Sequence, residues 1–132
     1  MKTKIYNLII LDESGSMQSI KSETINGFNE TIKTIKAAQK EHENQEHFVT
    51  LVTFNGAACK TIYDKVSADK IKKINAFGYR PNCSTPLYDA IGLSVTNLKH
   101  YLINKTEYTV LVTIITDGEE NASKEFKGEV RA

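Results

Sequence analysis

The sequence predicts a doubly wound α/β sheet, mostly parallel, with one antiparallel edge strand. Three observations carry that expectation. Apolar runs of strand length alternate with segments of helical periodicity in the order β α β β α β. One of those runs, Tyr6-Asn7-Leu8-Ile9-Ile10-Leu11, is apolar enough to be buried on both faces, as parallel strands are, and another, Val110-Leu111-Val112-Thr113-Ile114-Ile115, is apolar almost throughout. The hairpin signal, Asn55-Gly56, puts one antiparallel pair at a sheet edge.

Taken in order, Ile5 to Leu11 is the first strand. Ile25, Phe28, Ile32 and Ile35 recur at intervals of three and four, which makes Ser19 to Lys40 an amphipathic helix with one core stripe. Polar residues from Lys40 to Glu46 end it. His47 to Asn55 alternates and carries Phe48, Val49, Leu51, Val52 and Phe54, a second strand; Ala58 to Tyr63 pairs with it across the turn. A short helix is expected over Ala68 to Ile74, and Phe77 to Ser84, with Gly78, Pro81 and Asn82, is expected to be a loop. Pro86 suits a first helical residue, and Leu87, Ile91, Val95, Leu98 and Leu102 mark a second long helix. Val110 to Ile115 is the last strand.

Composition limits the function classes. A chain of 132 residues with ordinary globular composition is one domain with room for a core. A formal net charge of +1 with scattered lysines and glutamates offers no basic footprint for nucleic acid and no polybasic membrane patch. No signal-peptide core and no apolar segment of spanning length is visible, so the expected compartment is the cytoplasm. Cys59 and Cys83 fit no zinc spacing; they could in principle pair, but without an export signal a reduced state is expected.

The chemistry gathers where strands end. The first strand empties into Asp12-Glu13-Ser14-Gly15-Ser16-Met17, a carboxylate and two hydroxyls in a loop before a helix. These are oxygen donors of the kind that hard divalent cations select. Carboxyl ends of strands are also where open α/β sheets bind ligands. Ser84-Thr85-Pro86-Leu87-Tyr88-Asp89-Ala90 places a hydroxyl just before a helix, and Ile114-Ile115-Thr116-Asp117-Gly118-Glu119 ends a strand in a carboxylate.

Together the three segments resemble the metal-ion-dependent adhesion site of the von Willebrand factor A domain family, D-x-S-x-S followed by a distant Thr and a distant Asp. The matching residues are Asp12, Ser14, Ser16, Thr85 and Asp117. Ser-Gly-Ser-Met and Thr-Pro-Leu-Tyr-Asp-Ala-Ile look like the bacterial stand-alone members. The resemblance implies a Rossmann-like domain over residues 1–132 and a magnesium site, with manganese or calcium as substitutes. It further implies that the two serines bind directly, that Thr85 enters coordination when a ligand arrives, and that Asp117 acts mostly through water. The partner implied is a protein presenting an Asp or Glu carboxylate. A complete domain of the family continues through further strand and helix units, so the chain, ending at Ala132, is expected to be a short or truncated form. Its strand from Val110 to Ile115 is then expected to self-associate through an open edge, to swap elements with a second copy, or to take the missing segment from another polypeptide.

Other readings of the same residues are plainer. Asp12 and Ser14 could cap the following helix, Thr85 could cap the second one, and Asp117-Gly118 is an ordinary turn pair. Glu13, Glu119 and Glu120 suit a solvated rim, and Asp89 lies inside a helix. A haloacid-dehalogenase-type phosphatase needs a second carboxylate where Ser14 stands, Gly15-Ser16-Met17 is no serine-hydrolase elbow, and the spacing from His42 to His47 fits no zinc protease. None of the three histidines falls near the strand-end residues in sequence. The expected function is a non-enzymatic, magnesium-dependent protein-interaction module. The alternatives are a hydrolase or phosphotransferase using the same ion as a Lewis acid, and a metal-independent structural subunit.

Overall fold

A computed structural model describes residues 3–13, 15–55, 59–72, 81 and 87–116, with the side chains of residues 16 and 87 outside that set. The described chain is α/β, a four-stranded mixed sheet with two helices. In chain order the elements are β1 (Thr3–Asp12), a 3-10 turn (Gly15–Ile20), α1 (Lys21–Glu41), β2 (Gln45–Phe54), β3 (Cys59–Ser67), a second 3-10 turn (Ala68–Lys70), α2 (Leu87–Leu102) and β4 (Tyr108–Ile115). The strand order is β3-β2-β1-β4, with β1 parallel to both neighbours and β3 antiparallel to β2.

Alternation along β1 divides the core in two. Ile9 and Leu11 join Met17, Phe28, Ile32 and Ile35 of the α1 segment and Val49 and Leu51 of β2. Tyr6, Leu8 and Ile10 join Val52 and Phe54 of β2 and Ala90, Ile91, Leu98 and Leu102 of α2. Each helix therefore serves a different set of strand side chains, as the period of two requires. β1 is buried along nearly its whole length because it has a strand on either side and a helix-bearing cluster on either face.

Several expectations change in detail. The segment from Gly15 to Ile20 is a 3-10 turn and α1 begins only at Lys21, because Met17 is drawn fully into the core and a tighter coil delivers it there. The helix expected over Ala68 to Ile74 reduces to the 3-10 turn Ala68–Lys70, and Ile71 is extended, its side chain buried against the α1 cluster. Residues 73–80 and 82–86 lie outside the described set, as do the residues 56–58 of the expected turn. Val95, assigned to the core stripe of α2, is 39% exposed; Ser94 takes the buried place on that turn. β3 runs to Ser67 rather than Tyr63, since two register shifts let it keep pairing with β2.

An aromatic cluster shows which way α2 runs. Tyr101, in its last turn, meets the Tyr6 ring near the start of β1 at 5.7 Å between centroids. Phe48 stacks on Tyr6 from β2. Burial, then the Tyr101 hydroxyl, push the Tyr6 phenol up to about 12. With its carboxyl end over the start of β1, α2 runs against the strands and its amino end points toward their carboxyl ends. Among the described residues no helix is long and apolar enough to cross a membrane.

Candidate functional site at the strand ends

Asp12 is the last residue of β1 and is fully buried. A buried carboxylate needs hydrogen bonds to offset lost hydration. One comes from across the sheet: Thr116 Oγ1 donates to Asp12 Oδ2 at 2.7 Å. The register explains the meeting, since Leu11 stands opposite Ile115 in the β1–β4 pair and Asp12 and Thr116 follow them. On the other side Asp12 pairs with Phe54, the last residue of β2, and the Glu13 N–H donates to the Phe54 carbonyl at 2.8 Å. Three strand ends are thus tied together around one carboxylate.

The place follows from topology. From β1 the chain passes by α1 to β2 on one side, and β4, reached through α2, lies on the other. The carboxyl ends of β1 and β4 are therefore where successive connections diverge, the crevice in which open α/β sheets bind ligands. The amino end of α2 is directed at the same edge of the sheet, and Asp89 lies in its first turn.

Of the residues singled out in the sequence, the structure places Asp12 and the backbone of Ser16, which sits in the 3-10 turn Gly15–Ile20. Ser14, Thr85 and Asp117 and the Ser16 side chain lie outside the described residues. α1 begins at Lys21 with Ile20 at its N-cap, where no side-chain cap bond is made. Among the described residues no group of three or more His, Cys, Asp or Glu is arranged to hold a metal. A set built from hydroxyls and two carboxylates would not form such a group. The donors on view, Asp12 and Thr116, are both hard oxygens, which fits a magnesium-type ion.

Thr116 was missed as a participant by reading the sequence alone. Its signal was present: once the two apolar runs are paired in parallel and aligned at their ends, the residue after Ile115 falls beside Asp12.

The histidines lie elsewhere. His47 is buried at the other end of β2, where Asn7 Nδ2 meets its Nδ1 at 3.2 Å and Gln45 Oε1 lies 3.2 Å from its Nε2. An amide nitrogen can only donate, so Nδ1 accepts and the proton is on Nε2. Burial, and secondarily the charge of His42, hold its pKa below the usual imidazole range. No protein-family model matches this sequence, and no curated protein matches it.

Proposed function

We propose that the chain is a magnesium-dependent protein-interaction module of the von Willebrand factor A type, doubly wound and non-enzymatic, that captures a carboxylate of its partner at the strand-end crevice. The observation that supports this most is the buried Asp12 carboxylate at the divergence of β1 and β4, with Thr116 holding one of its oxygens. Asp12, Ser14 and Ser16 would hold the ion, Thr85 would join when the acidic ligand arrives, and Asp117 would act mostly through water. Bound there, magnesium supplies a positive charge with an exchangeable position that an Asp or Glu side chain can fill; manganese or calcium would serve less selectively. The protein's own work is to orient Asp12: the Thr116 hydroxyl fixes the rotamer of the carboxylate and the strand ends hold its backbone.

Calorimetry with magnesium and with manganese tests this. One site is expected, strongly weakened in Asp12→Ala and in the double change of Ser14 and Ser16 to Ala. Thr85→Ala should keep metal binding while losing metal-dependent retention of an acidic peptide. Unchanged metal binding in Asp12→Ala would end the proposal. The Thr116 hydrogen bond also favours a second reading, in which Asp12 merely locks β1 to β4 in a metal-independent structural subunit; partner capture that survives a chelator would select it.

A further inference from the structure

A cavity of about 510 Å3 opens between α2 and the hairpin of β2 and β3. Its origin is local. Opposite Thr50 the register slips, so that β3 spends Asp64 and Lys65 where β2 spends one residue. Lys65 adopts a positive φ of 53° and donates its N–H to Thr50 Oγ1 at 3.1 Å. In a regular strand neighbouring side chains face opposite ways. The bulge cancels that alternation: Tyr63 and Val66 pack against the α1 cluster, while Asp64 and Lys65 both line the cavity on the α2 side. Bulges commonly re-aim side chains in this manner beside binding sites.

We infer that this cavity binds a small, uncharged, polyhydroxylated molecule of about monosaccharide size. Three features select that class. The walls offer groups that both donate and accept, the Ser94 and Thr61 hydroxyls and the Asn97 carboxamide. Vicinal hydroxyls of a ligand also do both. The Ser94 hydroxyl carries particular weight, because it is only 6% exposed and has no hydrogen-bond partner among the described residues. Buried hydroxyls are normally satisfied, so one that lines a cavity without a partner points to a group that arrives from outside. The floor is apolar, from Leu8, Val52 and Leu98, and suits the C–H face of a ring. Charge excludes ions: Lys65 Nζ is paired with Asp64 and sits 4.4 Å over the Tyr101 ring, so neither sign is left to recruit an anion or a cation.

The test uses the whole chain, labelled with nitrogen-15, titrated separately with glucose, galactose and myo-inositol at millimolar concentration, and with glucose 6-phosphate and glucosamine as charged comparators. At least one neutral probe should give saturable shifts at the amides of Thr61, Ser94 and Asn97. Ser94→Ala should weaken that probe about tenfold, the loss of one good hydrogen bond. The same substitution should leave the melting temperature equal or higher, since it removes an unsatisfied buried hydroxyl; Asn97→Ala, at an exposed position, gives an independent loss of binding without a burial change. Absence of shifts with all three neutral probes would overturn the inference. So would tighter binding of the charged comparators, or a Ser94→Ala variant that binds normally or melts lower.

Discussion

Thr116→Val isolates the bond at the centre of the strand-end crevice. Valine keeps the branched shape and strand preference of threonine and deletes only the hydroxyl that donates to Asp12 Oδ2 at 2.7 Å. Hydrogen bonds to charged groups contribute about 1.5–3 kcal/mol. Two facts lower the figure here. Thr116 is half-buried, so water can reach the vacated position, and Asp12 has other partners that keep the carboxylate from being stranded. The loss expected is therefore about 1–2 kcal/mol, or a melting temperature lower by roughly 3–10 °C for a domain of this size. The assay is urea unfolding followed by circular dichroism, in chelator, for wild type, Thr116→Val, Asp12→Asn and the double variant. The cycle should return a coupling of about 1 kcal/mol or more. Coupling within error of zero would show that the two side chains do not hold the strand ends together. The structural basis assigned to the site would then fall.

Other consequences follow from the core and the edges. Because His47 is held below its ordinary pKa of 6.5 in the folded state, the unfolded chain takes up its proton first as pH falls; this residue's contribution to stability should be full above about 6.5 and decline down to its folded pKa, where the loss levels off. His47→Gln should flatten that part of a stability–pH profile, and an unchanged slope would assign it to other groups. Phe28→Ala removes a fully buried ring from the α1 cluster and should cost about 3–5 kcal/mol in urea unfolding; a loss below about 1 kcal/mol would mean that α1 does not pack as described. Finally, Leu111 and Val112 of β4 are 51% and 44% exposed on opposite faces, and Val95, Ile103 and Tyr108 extend the apolar surface into a groove beside α2. We expect concentration-dependent association by light scattering that Leu111→Lys suppresses; a monomer throughout the micromolar range would refute it.

The parts of the fold that were readable in the sequence are those governed by short-range periodicity. Ile5 to Leu11 had to be a central strand because its apolar residues leave no face for water, and β1 is flanked by β2 and β4 as that demands. Phe28, Ile32 and Ile35 announced the buried stripe of α1, and all three are in the core. Asn55-Gly56 announced the antiparallel pairing of β2 and β3. Position 95 failed by one residue: Val and Ser are adjacent, hydropathy favours Val as the buried one, and the pitch of α2 against β1 and β2 turns Ser94 inward instead. That misplacement is also the clue to the cavity. A helix packed for its core alone would put its apolar residue there.

What stayed hidden was set by contacts distant in sequence. No local rule says that Met17 will be fully buried, yet its burial is what turns the approach to α1 into a 3-10 coil and shifts the helix start past the expected Ser19. Lys65 carries no turn signature such as glycine or asparagine; its positive φ is imposed by the neighbouring strand, where Thr50 accepts its N–H and β3 must gain a residue to stay in step. The same logic separates the two edges of the sheet. β3 carries Lys60, Asp64 and Lys65 together with its register shifts, devices that discourage a further strand from adding. β4, Tyr-Thr-Val-Leu-Val-Thr-Ile-Ile, has no charge and no proline. Among the described residues, one edge thus carries devices that end the sheet and the other carries none of them. Asp12 ends β1 and Thr116 follows β4 beside it, so any strand or partner that extends the sheet from β4 approaches the crevice as well. The Thr116 hydrogen bond links occupation of that edge to the geometry of Asp12, which is why removing the Thr116 hydroxyl is the more informative perturbation than removing the carboxylate itself.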